Sequence, residues 1–222
     1  MNIGVFEIIP DKLIGGVIMQ SFKRYCSFVI LILLLTGCAG VEKDKTSSST
    51  KITIEPYNMS EKESLLISKS GVGHIEFFKL NGTLAEDDDL QISVEVFEKG
   101  KFKEELLKTS DAPEKNYKDI LISFGISDFN DEVRPLKLIS GIPSGLATTN
   151  YSNNMTSSSF SNLVGEKLTL KKNKPVYLAA WVGTTKDELR SVGSDNGELP
   201  ASIAEAELAF LYKVLWTDKE KN

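Results

Sequence analysis

Gln91-Ile92-Ser93-Val94-Glu95-Val96 alternates polar and apolar residues without a break, the two-residue period of a β-strand with one buried face. The period recurs at Ile120, Ile122, Phe124 and Ile126, and more briefly at Leu168 and Leu170 among Lys167, Thr169 and Lys171. Asn173 then marks a turn. Val176-Tyr177-Leu178-Ala179-Ala180-Trp181-Val182 follows, apolar at every position, and reads as a central strand buried on both faces. Gly100 sits between two strand candidates and predicts a hairpin near Glu98 to Lys101. From Glu207 to Thr217, Leu208, Phe210, Tyr212, Val214 and Trp216 alternate as a strand, while Leu208, Leu211 and Leu215 also fit a helical stripe. Aromatic and β-branched content favours the strand there.

Helical signals are sparse. Ser60 with Glu63 forms a capping box, Leu65 and Leu66 supply an apolar face, and Gly71 offers a stop. Thr185 with Glu188 suggests a shorter helix ending at Gly193. Several short strands, one or two short helices and no βαβ alternation predict a mainly β fold, an antiparallel β-sandwich. Ala147 to Asn162 contains 12 Ser, Thr or Asn residues in 16, so it is expected to be a long polar loop. Such loops carry function more often than they carry structure.

Upstream of these strands the chain has another character. Met19-Gln20-Ser21-Phe22-Lys23-Arg24 places two cations ahead of Phe28 to Leu35, which is apolar without interruption. That run is far shorter than the roughly 20 residues a spanning helix needs, but it suits the hydrophobic region of an export signal. Leu35-Thr36-Gly37-Cys38 closes it. The tetrapeptide resembles the lipobox of bacterial lipoproteins: an aliphatic residue, two small residues, then cysteine. The resemblance covers residues 19–38 only. It implies that the Cys38 thiol receives a diacylglycerol thioether and that a signal peptidase cuts just before it. On that reading residues 19–37 are a signal peptide, and the mature protein is held on the extracytoplasmic face of the cell membrane.

Residues 1–18 fit an export signal poorly, because Glu7 and Asp11 precede the apolar run. Gly15-Gly16 stands two codons before Met19, and Gly-Gly can be encoded by a purine-rich ribosome-binding sequence. Residues 1–18 are therefore expected to be an untranslated leader. Cys38 with the polar, serine-rich stretch to Lys51 reads as a lipidated cysteine and flexible tether, with ends on the order of 20 Å apart. A single sandwich-like domain is expected over residues 52–217, followed by a charged tail, 218–222.

Charge and cysteine usage exclude several classes. The net charge is −5; Lys12, Lys23 and Arg24 leave with the leader against Glu7 and Asp11, a net +1, so the mature chain carries −6. A mildly acidic surface argues against nucleic acid as a partner. Of the two cysteines, Cys26 leaves with the signal and Cys38 is consumed by lipid. Thiol redox chemistry, cysteine proteolysis and thiolate metal sites are thereby excluded. His74 is the sole histidine, which rules out sites needing two imidazoles.

Few residues suggest chemistry. Glu86-Asp87-Asp88-Asp89, and Asp128 with Asn130, Asp131 and Glu132, offer oxygen ligands for calcium, but neither has the EF-hand glycine and terminal carboxylate. A charge run between strands reads more simply as a solvated turn, and Asp195-Asn196-Gly197 is a plain turn signal. His74 could serve a hydrolytic triad, yet Gly141-Ile142-Pro143-Ser144-Gly145 lacks the spacing of a nucleophile elbow. With 29 acidic residues in the mature chain, no carboxylate pair stands out for glycoside hydrolysis. Trp181 and Trp216 lie in apolar runs and read as core. Tyr151 and Phe160 lie in or beside the polar loop and are expected to be exposed binding contacts. No catalytic residue, metal site or cofactor is assigned. The favoured reading is a non-enzymatic interaction module whose partners are the membrane, through its lipid, and a protein or cell-envelope ligand. The alternatives are an extracytoplasmic hydrolase using carboxylates and a transporter-associated solute receptor.

Overall fold

Alternating apolar residues give strands because successive side chains point to opposite faces of a pleated backbone. The computed structural model describes residues 51–109, 114–127, 135–188, 192–194 and 196–219. Cys38 and the rest of 1–50, the group Asp128, Asn130, Asp131 and Glu132, and Asp195 lie outside the described residues. The strands are β1 (Lys51–Pro56), β2 (His74–Thr83), β3 (Asp88–Glu98), β4 (Lys101–Leu106), β5 (Asn116–Ser127), β6 (Leu136–Ile142), β7 (Gly145–Tyr151), β8 (Ser157–Asn162), β9 (Leu168–Thr169), β10 (Val176–Thr184) and β11 (Leu208–Asp218). Helix α1 spans Glu61–Ser68, and a 3-10 helix spans Ala201–Glu205.

The strands form two antiparallel sheets, in the orders β7-β6-β5-β2-β1-β9 and β4-β3-β11-β10-β8. The expected mainly β, antiparallel sandwich is the observed fold. Between the sheets, Phe124 of β5 stacks on Tyr212 of β11 at 5.3 Å and on Phe160 of β8 at 5.6 Å. Phe78 of β2 meets Tyr212 at 6.4 Å. Ring pairs of this kind contribute about 0.5–1.5 kcal/mol each beyond the area they bury. Ile52, Ile54, Val94, Val96, Leu136 and Leu138 fill the space around them, all fully buried.

Every residue of β10 is buried, as its uninterrupted apolar run requires. Its second face is covered by the segment that ends in the 3-10 helix: Val192, Ile203 and Ala206 pack on Tyr177, Ala180, Val182 and Leu211. The reading of β3 as half-exposed is corrected as well: Phe97 joins that cover, and Gln91 and Ser93 are buried. β11 is a strand, as its aromatic content favours. The β3–β4 turn has positive φ at both Lys99 and Gly100, the geometry that the right-handed strand twist selects in a two-residue hairpin. Ser60 and Glu63 cap α1 reciprocally: the Ser60 amide donates to Glu63 at 2.7 Å, and the Glu63 amide donates to the Ser60 hydroxyl. No residue of α1 is buried, and Leu65 and Leu66 are 59% and 62% exposed.

Three expectations are corrected. No helix occurs among the described residues between Thr185 and Gly193. A capping Thr185 would accept from the chain ahead of it, whereas here its amide and hydroxyl both donate to Glu207, at 3.1 and 2.8 Å. The strand at Leu168 is only two residues long, pairing with Thr53 and Ile54 of β1, and beyond it the Leu170 amide still donates to the Ile52 carbonyl at 2.9 Å. The polar stretch 147–162 is not a long loop. It holds most of β7 and all of β8, which lie in different sheets, and only residues 152–156 separate them. Threonine suits a pleated edge, and an edge strand needs few apolar residues because it has a neighbour on one side only.

Candidate functional site

Residues 138–165 contain no Asp, Glu, Lys or Arg, although 26% of the chain is charged. This uncharged segment builds β6 from Leu138 on, the Pro143-Ser144 turn, and the two edge strands β7 and β8. Gly141 to Gly145, which lacks the spacing of a nucleophile elbow, is this hairpin turn, with Ile142 opposite Gly145.

Tyr151 and Phe160 were expected to lack a core to join, and the structure corrects that premise. Both are half-buried and pack against the inter-sheet core. The Tyr151 ring meets Phe210 edge-on at 4.9 Å, and its hydroxyl donates to Glu98 at 2.7 Å while accepting from Lys103 at 3.0 Å. Burial, more than any single neighbour, pushes its phenol above the usual value. Phe160 lies between Phe124 and the exposed ring of His74, which stacks on it at 6.0 Å. Trp181 is core, tilted against Phe210 at 5.2 Å, and Trp216 packs on the core from its rim.

The acidic run divides. Glu86 and Asp87 are exposed turn residues, whereas Asp88 and Asp89 are buried at the start of β3. Lys172 donates to Asp88 and to Asp218, each at 2.6 Å. Burial opposes the charge on Asp88, but the Lys172 ammonium outweighs it and holds the carboxyl below its ordinary value. Among the described residues, no group of three His, Cys, Asp or Glu side chains is placed to hold a metal ion.

Two features escaped the sequence reading. On the outer face of the second sheet, Lys213 of β11 is 8% exposed and donates to Glu95 at 2.6 Å and Glu105 at 2.5 Å. Ser93 donates to Glu105 at 2.7 Å and Tyr177 to Glu95 at 3.0 Å. Burial and Glu95 push the Tyr177 phenol well up, so it stays a donor. Burial works against charge at both Lys213 and Glu105, yet their mutual hydrogen bond prevails, raising the lysine and lowering the acid. A sequence signal existed, since Lys213 is the one charge inside the apolar run from Leu208 to Trp216. The second feature is a cleft of about 290 Å³ at the end of β10, lined in part by Thr184, Lys186, Glu188, Ser202, Glu205 and Glu207. Glu207 accepts from the Thr185 amide and from the hydroxyls of Thr185 and Thr184, and these donors hold its carboxyl below the usual range. Such a carboxylate is a poor proton acceptor. It pins the loop after β10.

With the two-sheet body in view, its kinship can be stated. The family model described as the YgaN domain matches residues 53–215. The chain belongs to the YgaN domain family. The match runs from Thr53 in β1 to Leu215 in β11, so the YgaN domain here includes both sheets, the Lys213 network and the uncharged edges. No curated protein and no solved structure matches the chain.

Proposed function

We propose that this chain is a lipid-anchored interaction module, non-enzymatic, carried on the extracytoplasmic face of a cell membrane. The observation that carries the anchor is Leu35-Thr36-Gly37-Cys38 closing an apolar run that follows two cations. Among the described residues, no helix is long and apolar enough to cross a membrane. The interaction reading draws on the charged clusters of the YgaN domain. Lys213, Glu95 and Glu105 satisfy one another, as do Lys172, Asp88 and Asp218, and Glu207 is saturated by threonine donors. Groups committed in this way hold strands together; they do not offer a poised base. Contacts with a protein or cell-envelope ligand are then assigned to the uncharged strands β7 and β8, and the acidic surface is not one for nucleic acid.

Feeding cells an alkyne-bearing palmitate and isolating membranes tests the anchor. The wild-type chain should carry the label and sediment with membranes, and Cys38→Ala should lose both. Burying acyl chain contributes about 0.8 kcal/mol per CH₂, so two chains hold firmly where one holds only marginally. A chain starting at Ala39 should leave lipid vesicles unbound. Tight vesicle binding by that chain, or an unlabelled but membrane-bound wild type, would overturn the anchoring reading.

A further inference from the structure

An edge strand presents a row of backbone N–H and C=O groups, and native sheets guard such rows with charge, irregularity or shortness. Among the described residues, two of the four sheet edges are guarded. β4, Lys101-Phe102-Lys103-Glu104-Glu105-Leu106, carries four charges in six residues and a register shift against β3. β9 is two residues long. β7, Gly145-Leu146-Ala147-Thr148-Thr149-Asn150-Tyr151, has no charge and no proline, and it pairs with β6 over its full length without a shift. β8 is likewise uncharged, but only β7 bears a large exposed apolar side chain, Leu146 at 67%. That difference matters, because hydrogen bonds exchanged with water contribute little net association and apolar burial must add to them.

Which groups of β7 face outward follows from the turn. Its two residues make Ile142 and Gly145 the closing hydrogen-bonded pair, and such pairs alternate along an antiparallel ladder. The backbone groups of Gly145, Ala147, Thr149 and Tyr151 are thus used toward β6, and those of Leu146, Thr148 and Asn150 point away. The next ladders agree: carrying the alternation through β5 places Phe77 toward β1, where its carbonyl accepts from the Tyr57 amide at 2.8 Å. The outward set is symmetric about Thr148.

We propose that β7 pairs antiparallel with β7 of a second copy of this chain, about a two-fold axis at Thr148, joining two six-stranded sheets into one. Leu146 then lies opposite Asn150 of the other copy, and Thr148 lies opposite itself, so every outward amide and carbonyl of the three residues finds a partner. Thr–Thr is a favourable cross-strand pair, and Leu146 reaches the other copy's Thr148 diagonally. Charge points to a second copy as the occupant. About a two-fold axis a charge on the strand would lie near its own like, which is destabilising, and β7 carries none, so this edge can pair with itself although each mature chain carries −6. This inference rests on the interaction reading and is independent of the lipid anchor.

The test uses residues 39–222, which contain the compact unit Ser49–Asn222 and no cysteine. Thr148→Cys places one thiol on the two-fold axis. Cα atoms about 5.5 Å apart in a hydrogen-bonded pair lie within disulfide reach. Mild oxidation should give a covalent dimer from Thr148→Cys and not from Lys101→Cys on β4. In sedimentation velocity the wild type should self-associate with rising concentration, and Thr148→Lys, with an unchanged circular dichroism spectrum, should remain a monomer. Monomers up to roughly millimolar concentration without Thr148→Cys cross-linking would overturn the proposal. So would association that survives Thr148→Lys, equal cross-linking at Lys101→Cys, or cross-linking in membranes only to a different protein. None of these results bears on palmitate labelling at Cys38, so the two readings fail separately.

Discussion

Replacing Lys213 by methionine keeps the side chain's length and apolar stem and deletes its charge. Glu95 of β3 and Glu105 of β4 stand directly opposite in register, and the ammonium between them is their shared cation. Without it, two carboxylates face each other across one strand spacing. Removing one partner of a buried ion pair costs about 3–5 kcal/mol. The Glu95 and Glu105 side chains are 13% and 23% exposed, so solvent screens part of the repulsion and the lower end applies, about 3 kcal/mol. For a domain of this size that lowers Tm by roughly 6–12 °C. The sign with pH is the sharper readout. In the wild type, the lowered folded pKa of Glu105 contributes stability that is complete above the ordinary carboxylate value, about 4.3, and is lost as pH falls through the folded value. In Lys213→Met, acidification removes the repulsion, so the deficit relative to wild type should narrow between pH 7 and pH 4. Urea unfolding followed by circular dichroism measures both. Adding Glu95→Gln and Glu105→Gln to Lys213→Met should restore most of the loss, because paired apolar or neutral groups replace a network at little cost. A deficit under about 0.5 kcal/mol, or one independent of pH, would refute the claim that this lysine holds β3, β4 and β11 together.

Gly100→Ala should cost about 3 kcal/mol or more, because φ is +73° and the new Cβ would lie 2.0 Å from the Ala204 carbonyl oxygen; thermal melting and soluble yield report it. Tyr151→Phe deletes the hydroxyl that joins Glu98 and Lys103 and should cost about 1 kcal/mol, whereas Tyr151→Ala also removes the ring from Phe210 and should cost about 3 kcal/mol in the same urea assay. His74→Ala should change stability by no more than ~0.5 kcal/mol and leave a cellular phenotype intact, since the residue is exposed and touches Phe160 by ring contact; a fall of several orders of magnitude in an activity would instead assign it acid–base work.

The elements legible in the sequence are those whose cause is local. The Ser60–Glu63 cap needs only four residues, the Lys99-Gly100 turn only two, and the apolar run of β10 states its own burial. What was illegible depends on distant chain. Gln91, Ser93 and Glu95 look like the solvent face of a strand, yet Ser93 and Glu95 are tied into the network of Lys213, Glu105 and Tyr177, partners on three other strands. Thr185 spells a helix start, but Glu207, just ahead of the neighbouring strand β11, competes for its donors and prevails. In each case a tertiary partner overrode a correct local signal.

The stretch from Ala147 to Asn162 failed for a different reason, and that reason bears on function. Ser, Thr and Asn favour loops, yet Thr148 and Thr149 sit in β7, and Ser157, Ser159 and Ser161 in β8, in unbroken register with β6 and β10. A period-2 search for apolar residues misses an edge strand whose exposed face is hydroxyl-rich. The signal that does mark it is the absence of charge. A solvated loop in an acidic, highly charged protein has no reason to exclude Asp, Glu, Lys and Arg over residues 138–165, whereas strands awaiting a neighbour do, because a charge buried by that neighbour would need a partner. Among the described residues, β4 carries charge and a register shift and β9 is two residues long, protections that β7 lacks. The composition of β7 therefore suits an added strand. Symmetry about Thr148, with no charge on β7 to meet its own like across the two-fold axis, then favours the second copy.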